Sequence, residues 1–351
     1  MAPPSRMEGF REGRGWGRIP PVLLHGGKQV MSTFFKYSSY IEDFFIEPTI
    51  KLSNVRSFND PFEAEINKEV IDRIMMSVRH HQPHKFDAYS KLNITRDDIL
   101  TMISCNGIVS FSETPRNLLM WAHYGNQHNG MCVEFSSKVL NYLKERNEHG
   151  ATNLSVYIPT KVNCDNHRAS TEISSNANNI FKEIIIKHLT TKSDDWLYEK
   201  EHRSIISIHH ADKIITPNNL QLPLYGNENE TDLTGEGLLK VLIDDNKIKK
   251  LKDNIYQINK SLTDILDYSF LLGIRGSSML VKISPRHIKS IYLGCRVTSD
   301  KIKYAYAKIN KNKNKKHITL YHYTLMDNRF ELKQNKVDDK YIENLDSSEG
   351  I

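Results

Sequence analysis

Short strand-like and helix-like segments follow one another irregularly along this chain, and this order constrains the fold more than any other feature. FFKYSS at 34–39 and GIVSFSE at 107–113 have the residues and the length of strands. Between them, apolar residues recur every four positions from Phe62 to about His80, which predicts an amphipathic helix. No strict strand–helix–strand rhythm and no long internal repeat is visible. The pattern predicts an α+β fold: a single domain with a mixed, mainly antiparallel sheet flanked by helices.

Three later segments complete the predicted arrangement. Trp196–Ser207 alternates like a strand, and a helix is predicted from about Lys247 to Tyr268. His317–Leu325 and Asn328–Gln334 are predicted to form a hairpin around Asp327-Asn328.

The two ends of the chain differ from its middle. Residues 1–30 are rich in Gly, Pro and Arg and show no hydrophobic period, which predicts a disordered N-terminal extension, with a functional basic arm as the alternative. The folded domain is predicted to span 31–335, and the polar segment 336–351 to be a flexible tail. Half of the net charge of +6 lies in the first 30 residues, so the remainder is only mildly basic. This balance argues against a dedicated nucleic-acid-binding protein.

Cysteine spacing and hydropathy indicate a cytoplasmic protein with no membrane anchor. The four cysteines lie far apart and form no CxxC pair, as expected for reduced thiols and not for a disulfide framework or a zinc site. No apolar run approaches the roughly 18 residues that a spanning helix needs.

The segment from Phe111 to Phe135 is dense in side chains that take part in chemistry. On a helix, Asn117, Trp121 and Tyr124 would lie on one face, and His123 on the next face round. Either face could line a pocket, although Trp121 and Tyr124 are equally typical of a core.

A second segment, WLYEKEHRSII at 196–206, combines carboxylates with basic side chains. On a strand, Glu199, Glu201 and Arg203 would share one side. Such a row is costly to bury unless its charges are paired. This side is therefore expected to face solvent, to form an ion-pair ladder, or to line a polar site.

Several unusual phrases occur in one order along the chain: NDPFE at 59–63, SFSE with NxxMWxHYG between 110 and 125, GMCVEF at 130–135, WxYEKEHR at 196–203 and IYLGCR at 291–296. Together they closely resemble the bacterial family called Domain of Unknown Function 2971, from about Phe34 to Leu332. That family often carries a histidine–tyrosine pair on its first strand, where this chain has Lys36-Tyr37. The resemblance implies a domain outline and a defence or mobile-element setting, but not a reaction.

The first functional hypothesis is an ADP-ribosyltransferase-like enzyme with NAD as co-substrate and a protein or nucleic acid as acceptor. The order Arg56, Ser110-Phe111-Ser112, Glu199-Lys200-Glu201 is similar to the arginine–serine–glutamate pattern of that superfamily. There the arginine holds a phosphate, and the glutamates orient the ribose and the acceptor. The candidate catalytic residues are Glu201, Glu199, Tyr124 and His123. The candidate substrate-binding residues are Arg56, Asn59, Ser110, Ser112, Asn117, Trp121 and Arg203.

Two alternatives remain open at this point. A metal-dependent hydrolase or nuclease could use Glu113, His123, His128 and Glu134, since carboxylate and imidazole suit several transition metals, but no HExxH signature is present and no metal ligand is assigned. The chain could instead be a non-catalytic sensor or interaction module. Asn59 also fits a simple turn, because it precedes Asp60, a good N-cap for a helix that starts at Pro61.

Overall fold

The computed structural model describes residues 22–25, 28–64, 71–72, 76, 103–146, 154–166, 180–218, 220, 235–259, 262, 267, 271, 274 and 276–348. The strands are β1 (Val22–His25), β2 (Lys28–Met31), β3 (Thr33–Ser38), β4 (Thr49–Leu52), β5 (Asn106–Ser112), β6 (Met131–Ser136), β7 (Val156–Lys161), β8 (Asn163–Cys164), β9 (Thr191–Lys192), β10 (Glu201–Ser207), β11 (Lys213–Ile215), β12 (Ile248–Lys252), β13 (Ile255–Ile258), β14 (Ser278–Lys282), β15 (Ile288–Leu293), β16 (Thr319–Leu325) and β17 (Leu332–Lys336). The α-helices are α1 (Glu42–Ile46), α2 (Pro61–Ala64), α3 (Leu118–His123), α4 (Ile180–Leu189), α5 (Gly235–Asp244), α6 (Ser299–Lys311) and α7 (Asp339–Ser348).

Two sheets organise the described part of the chain. An eight-stranded sheet has the order β17-β16-β15-β6-β3-β5-β10-β7, and a five-stranded sheet has the order β12-β13-β11-β14-β4. Neighbouring strands are antiparallel, apart from β15 and β16, which run parallel. The predicted α+β class with a mixed, mainly antiparallel sheet is confirmed.

The eight-stranded sheet is split between β3 and β5. Strand β3 pairs with β6 along its whole length, and β5 does the same with β10, but β3 and β5 share only the pair Phe35↔Ser112. The other end of β5 turns toward the five-stranded sheet, where Ile108 and Ser53 exchange two backbone hydrogen bonds. We call the opening between β3 and β5 the seam.

A glycine permits the close approach of the two sheets. A Cβ atom on Gly107 would lie 2.4 Å from the Cβ of Leu52, closer than real side chains pack. Because glycine has no Cβ, β5 can cross against β4 at this point.

The main core lies between the two sheets. It joins Phe34, Phe111 and Phe135 of the first sheet to Ile50 and Val281 of the second, all of them buried. A smaller apolar cluster covers the other face of the eight-stranded sheet, where Trp121 packs edge-on against Tyr37 and Tyr323.

Two predicted elements need correction. The strand predicted from Trp196 begins only at Glu201, because Asp194–Glu199 forms a 3-10 helix and Lys200 ends it in the left-handed conformation, with φ at 47°. The helix predicted from about Lys247 to Tyr268 is wrong over 248–258, where β12 and β13 are joined by the two-residue turn Asp253-Asn254, whereas Asp267 is helical. Asn254 adopts a φ of 60°, which asparagine tolerates better than most residues, so turn chemistry prevails over the apolar spacing.

Other predicted segments lie partly or wholly outside the described residues. The helix from Phe62 is described over Pro61–Ala64 and at 71–72 and 76, where it is helical. The disorder of residues 1–30 stays a prediction: 1–21 and 26–27 lie outside the described residues, while β1 and β2 pair as a small hairpin. Within the predicted tail the structure describes α7, whose Tyr341 hydroxyl lies 2.7 Å from Nδ1 of His322.

The hairpin around Asp327-Asn328 is present as β16 and β17. No helix among the described residues is long and apolar enough to cross a membrane.

Candidate functional site

A cavity of about 180 Å³ opens at the seam, and we call it the seam cavity. Strands β3, β5 and β10, helix α3 and the segment around α2 all contribute to it. Its lining residues are Phe35, Lys36, Tyr37, Ser53, Ser57, Phe58, Asn59, Glu63, Ser110, Phe111, Ser112, Met120, Tyr124, Lys192, Glu199, Glu201 and Arg203.

The register of β5 against β10 sets the polar wall of this cavity. Glu201 lies directly opposite Ser112, and Arg203 lies opposite Ser110. Directly opposed residues of antiparallel strands present their side chains on the same face of the sheet. Two segments that lie about 90 residues apart in sequence therefore form one polar surface.

Arg203 is the centre of a buried ion-pair network. Its guanidinium donates two hydrogen bonds to the Glu201 carboxylate, at 2.8 and 2.9 Å, and a third to the carbonyl of Leu189 at 2.7 Å. It also contacts the Glu63 carboxylate, and its flat face lies over the ring of Phe58. This bidentate geometry fixes the orientation of Glu201.

Lys192 connects the carboxylates of the network. Its ammonium lies 2.8 Å from Glu199, 3.5 Å from Glu201 and 3.8 Å from Glu63, and it packs over the ring of Trp196. Lys192 is buried, so these interactions take place away from bulk water.

Glu199 reaches the cavity from the 3-10 helix that precedes β10. The Tyr124 hydroxyl donates to its Oε1 at 2.6 Å, and the Ser112 hydroxyl donates to its backbone carbonyl at 2.7 Å. The left-handed turn at Lys200 lets Glu199 and Glu201 converge although they are not on one regular strand. The two carboxylates are thus held from different directions.

The paired charges shift the acid–base behaviour of these groups. Burial alone would raise the pKa of Glu201, but Arg203 and Lys192 outweigh it and lower that pKa to about 2. Burial raises the pKa of Glu63, and the two cations only partly oppose this. Burial and the Glu199 carboxylate raise the pKa of Tyr124, so its hydroxyl stays protonated. At neutral pH the Glu201 carboxylate is therefore ionised, and the phenol of Tyr124, which donates to Glu199, is neutral.

Lys36 stands in the seam itself. Its ammonium donates to the carbonyl of Ser110 at 3.0 Å, across the gap that β3 and β5 leave open. Burial lowers the pKa of Lys36 to about 8, which Glu201 opposes and Lys51 reinforces.

The structure brings together most of the residues that the sequence singles out. Seven of the predicted site residues line the seam cavity: Glu199, Glu201, Arg203, Tyr124, Ser110, Ser112 and Asn59. Arg56 lies in the short 3-10 helix Val55–Ser57, and its side chain is outside the described part of the structure.

Three predicted site residues do not line this cavity. His123 is exposed and contacts the rings of Tyr124 and Tyr198. Asn117 is the N-cap of α3, and Trp121 is fully buried in the smaller core cluster, where its indole nitrogen donates to the carbonyl of Pro115.

Sequence reasoning missed Lys36, Glu63 and Lys192. Glu63 lies in the NDPFE phrase, where the Asp60 side chain accepts a hydrogen bond from the backbone N–H of Phe62 and so supports the start of α2. Lys36 interrupts an otherwise apolar strand, and a charged residue at such a position could have indicated a functional role. Lys192 had no comparable sequence signal, since it precedes the cluster in an ordinary polar stretch.

The residues of the metal hypothesis have separate partners. Glu113 lies 3.6 Å from Lys161 and 3.9 Å from His202, Glu134 accepts from the Tyr292 hydroxyl, and His128 stacks on Trp121. Within the described ranges, no three His, Cys, Asp or Glu side chains are arranged to hold a metal ion.

Comparison with known proteins gives one match. Residues 120–204 match the model of a family described as protein of unknown function (DUF2971). This segment is similar to the DUF2971 family. It contains the Tyr124, Lys192, Glu199, Glu201 and Arg203 side chains of the seam cavity, so the matched region supplies much of the polar network. No curated protein and no solved structure matches the chain.

Proposed function

We propose that this protein is an ADP-ribosyltransferase-like enzyme that uses NAD as co-substrate. The observation that carries the proposal is the pairing of β5 with β10, which sets Ser110 and Ser112 beside Arg203 and Glu201 on one wall of a cavity. These are the serine and glutamate parts of the pattern that the sequence suggests.

The chemistry follows from the charge state of Glu201. In the proposed reaction the bond between ribose C1′ and the nicotinamide nitrogen breaks, and nicotinamide leaves with the bonding electron pair. An acceptor nucleophile then forms the new bond to C1′ and releases its proton to solvent. The ribose carries positive charge as the bond breaks, and a fixed carboxylate stabilises such a centre. Because the pKa of Glu201 is about 2, its carboxylate is ionised at neutral pH.

The neighbouring groups give the cavity its binding character. The Tyr124 hydroxyl remains a hydrogen-bond donor, and the aromatic rings of Phe35 and Phe58 offer surfaces for a flat ring such as nicotinamide. At about 180 Å³ the cavity suits one end of a dinucleotide, with the rest of NAD lying outside it. The acceptor in this proposal is a cytoplasmic protein or nucleic acid, in a defence or mobile-element setting.

The test is nicotinamide release and ADP-ribose transfer by the full chain, incubated with NAD and cell lysate and followed by mass spectrometry. Wild type is expected to release nicotinamide and to add ADP-ribose to an acceptor. Glu201→Gln is expected to lower the rate by roughly 10²–10³-fold, as found when one electrostatic contact to a transition state is removed.

The matched control is Glu331→Gln, which changes an exposed glutamate that pairs with Arg116 at 3.7 Å. This variant is expected to keep the wild-type rate. Thermal unfolding of all three proteins shows whether Glu201→Gln is folded. Absence of NAD turnover by folded wild type, or equal rates for wild type and a folded Glu201→Gln protein, would contradict the proposal.

A further inference from the structure

A second, larger cavity of about 320 Å³ lies between the two sheets, and we call it the intersheet cavity. Residues of β3, β6 and α1 form one side, and residues of β4, β11, β13 and β14 form the other. Lys36 lines both this cavity and the seam cavity.

The walls of the intersheet cavity are largely apolar. Phe44, Ile50, Met131, Val133 and Phe135 are all buried core residues that face it. The volume falls at the lower end of the range in which proteins bind small organic ligands. An aliphatic chain would gain burial against these side chains.

The acidic residues around the cavity are already paired. Glu47 contacts Lys213 and, at 2.8 Å, Lys282, while Asp43 lies 2.5 Å from Lys252. Of these residues, Asp43, Glu47, Lys213 and Lys252 line the cavity, so the two negative and two positive charges on that side balance.

Lys36 and Lys51 contrast with those pairs. Among the described residues, neither has a carboxylate within 4.0 Å, and the charge of Lys51 acts unfavourably on Lys36. Loss of hydration lowers the pKa of half-buried Lys36 and also that of Lys51, although the Lys51 side chain stays exposed. Two like charges beside an apolar cavity favour an anion at the same place, since one negative group would relieve their repulsion.

We propose that the intersheet cavity binds an amphipathic monocarboxylate, with its headgroup at Lys36 and Lys51 and its aliphatic chain on Met131, Val133 and Phe135. The apolar walls select the chain, and the two lysines select the negative charge. This site is separate from the proposed NAD site, although Lys36 borders both.

Isothermal titration calorimetry of the full chain with decanoate and with decanol tests the proposal. Decanoate is expected to bind at least about tenfold more tightly than the uncharged alcohol, because only the carboxylate forms charge-assisted hydrogen bonds. Lys51→Met is expected to weaken decanoate binding by about tenfold and to leave decanol binding unchanged.

The matched control is Lys250→Met, at an exposed lysine of β12 that pairs with Asp253 at 3.3 Å and does not line the cavity. It should bind decanoate like wild type. A second variant, Val133→Trp, fills the cavity and should abolish binding of both probes in a protein that thermal unfolding shows to be folded. No binding of decanoate, equal binding of decanol, or unchanged affinity in Lys51→Met would each overturn the proposal. None of these measurements requires NAD, so the two proposals can fail independently.

Discussion

At the scale of single residues, the decisive feature is the carboxylate of Glu201 held by the Arg203 guanidinium. Removing two charges from water costs free energy that their attraction repays only when the geometry is good and the remaining donors are satisfied. Here the guanidinium meets two carboxylates and one backbone carbonyl. We therefore interpret the ion pairs of Arg203 as interactions that position Glu201, and not as a net contribution to the free energy of folding.

This view predicts a large effect of Arg203→Met. The substitution leaves Glu63 and Glu201 buried beside Lys192 as their remaining cation, and breaking such a network typically costs about 3–5 kcal/mol. Urea unfolding measures the loss. Arg116→Met is the matched control, because the Arg116–Glu331 pair is about half exposed and should contribute less than about 1 kcal/mol. Similar losses for the two variants would show that the network is not buried as described.

The low pKa of Glu201 predicts a specific dependence of stability on pH. A carboxyl group whose pKa falls from an ordinary value of 4.5 to about 2 on folding contributes stability above pH 4.5 and loses it as the pH falls toward 2. The melting temperature of wild type should therefore drop relative to that of Glu201→Gln between about pH 5 and pH 2.

Comparison of these two proteins reports Glu201 together with its effect on Glu63. Burial raises the pKa of Glu63, which acts in the opposite sense, and the Glu201 charge adds to that rise, so only this added part differs between the two proteins. A constant difference in melting temperature across this range would show that Glu201 is not the group responsible.

At the scale of secondary-structure elements, Asn117 links α3 to the segment that carries Glu199. Its side-chain oxygen accepts from the backbone N–H groups of Leu119 and Met120, and its amide nitrogen donates to the carbonyl of Tyr198 at 2.6 Å. The sequence points to substrate binding for this residue. The structure gives it a positioning role, because α3 carries Tyr124 at its C-terminal end.

Two substitutions distinguish the helix-cap interaction of Asn117 from its hydrogen bond to Tyr198. Asn117→Ala removes both interactions and should lower the free energy of unfolding by about 1–2 kcal/mol. Asn117→Ser keeps a side-chain oxygen for the helix cap but loses the donor to Tyr198, so its loss should be smaller. Chemical unfolding checks both values, and equal stability of Asn117→Ala and wild type would exclude the capping role.

Strands and helices could be predicted from the sequence more reliably than the tertiary contacts between them. Strands β5 and β6 and the β16–β17 hairpin follow from short-range patterns, which depend on neighbours in sequence. The failures at 196–200 and 247–258 arise from left-handed residues, Lys200 and Asn254, that end or turn an element without a strong apolar signal. Tertiary contacts also decide which polar residues are buried, so Lys36 and Lys192 could not be assigned to the site from their surroundings in sequence.

At the scale of the whole molecule, one continuous core ties the two sheets together, and β5 of the eight-stranded sheet also contacts the end of β4. Its Ser112 end pairs with β3, and its Ile108 end pairs with Ser53. The seam cavity is lined in part by β5, and it shares the lining residue Lys36 with the intersheet cavity. A ligand in one cavity would therefore change the electrostatic surroundings of the other through a single side chain.

The single residue pair between β3 and β5 also has a kinetic consequence. Neighbouring strands that share many hydrogen bonds separate only when a whole unit unfolds, whereas strands joined at one position can part at small cost. Backbone amides of β5 that face the seam should exchange with deuterium faster than those that pair with β10. A molecule held in the seam cavity should slow that exchange, because binding to the closed sheet lowers the population in which β3 and β5 have parted.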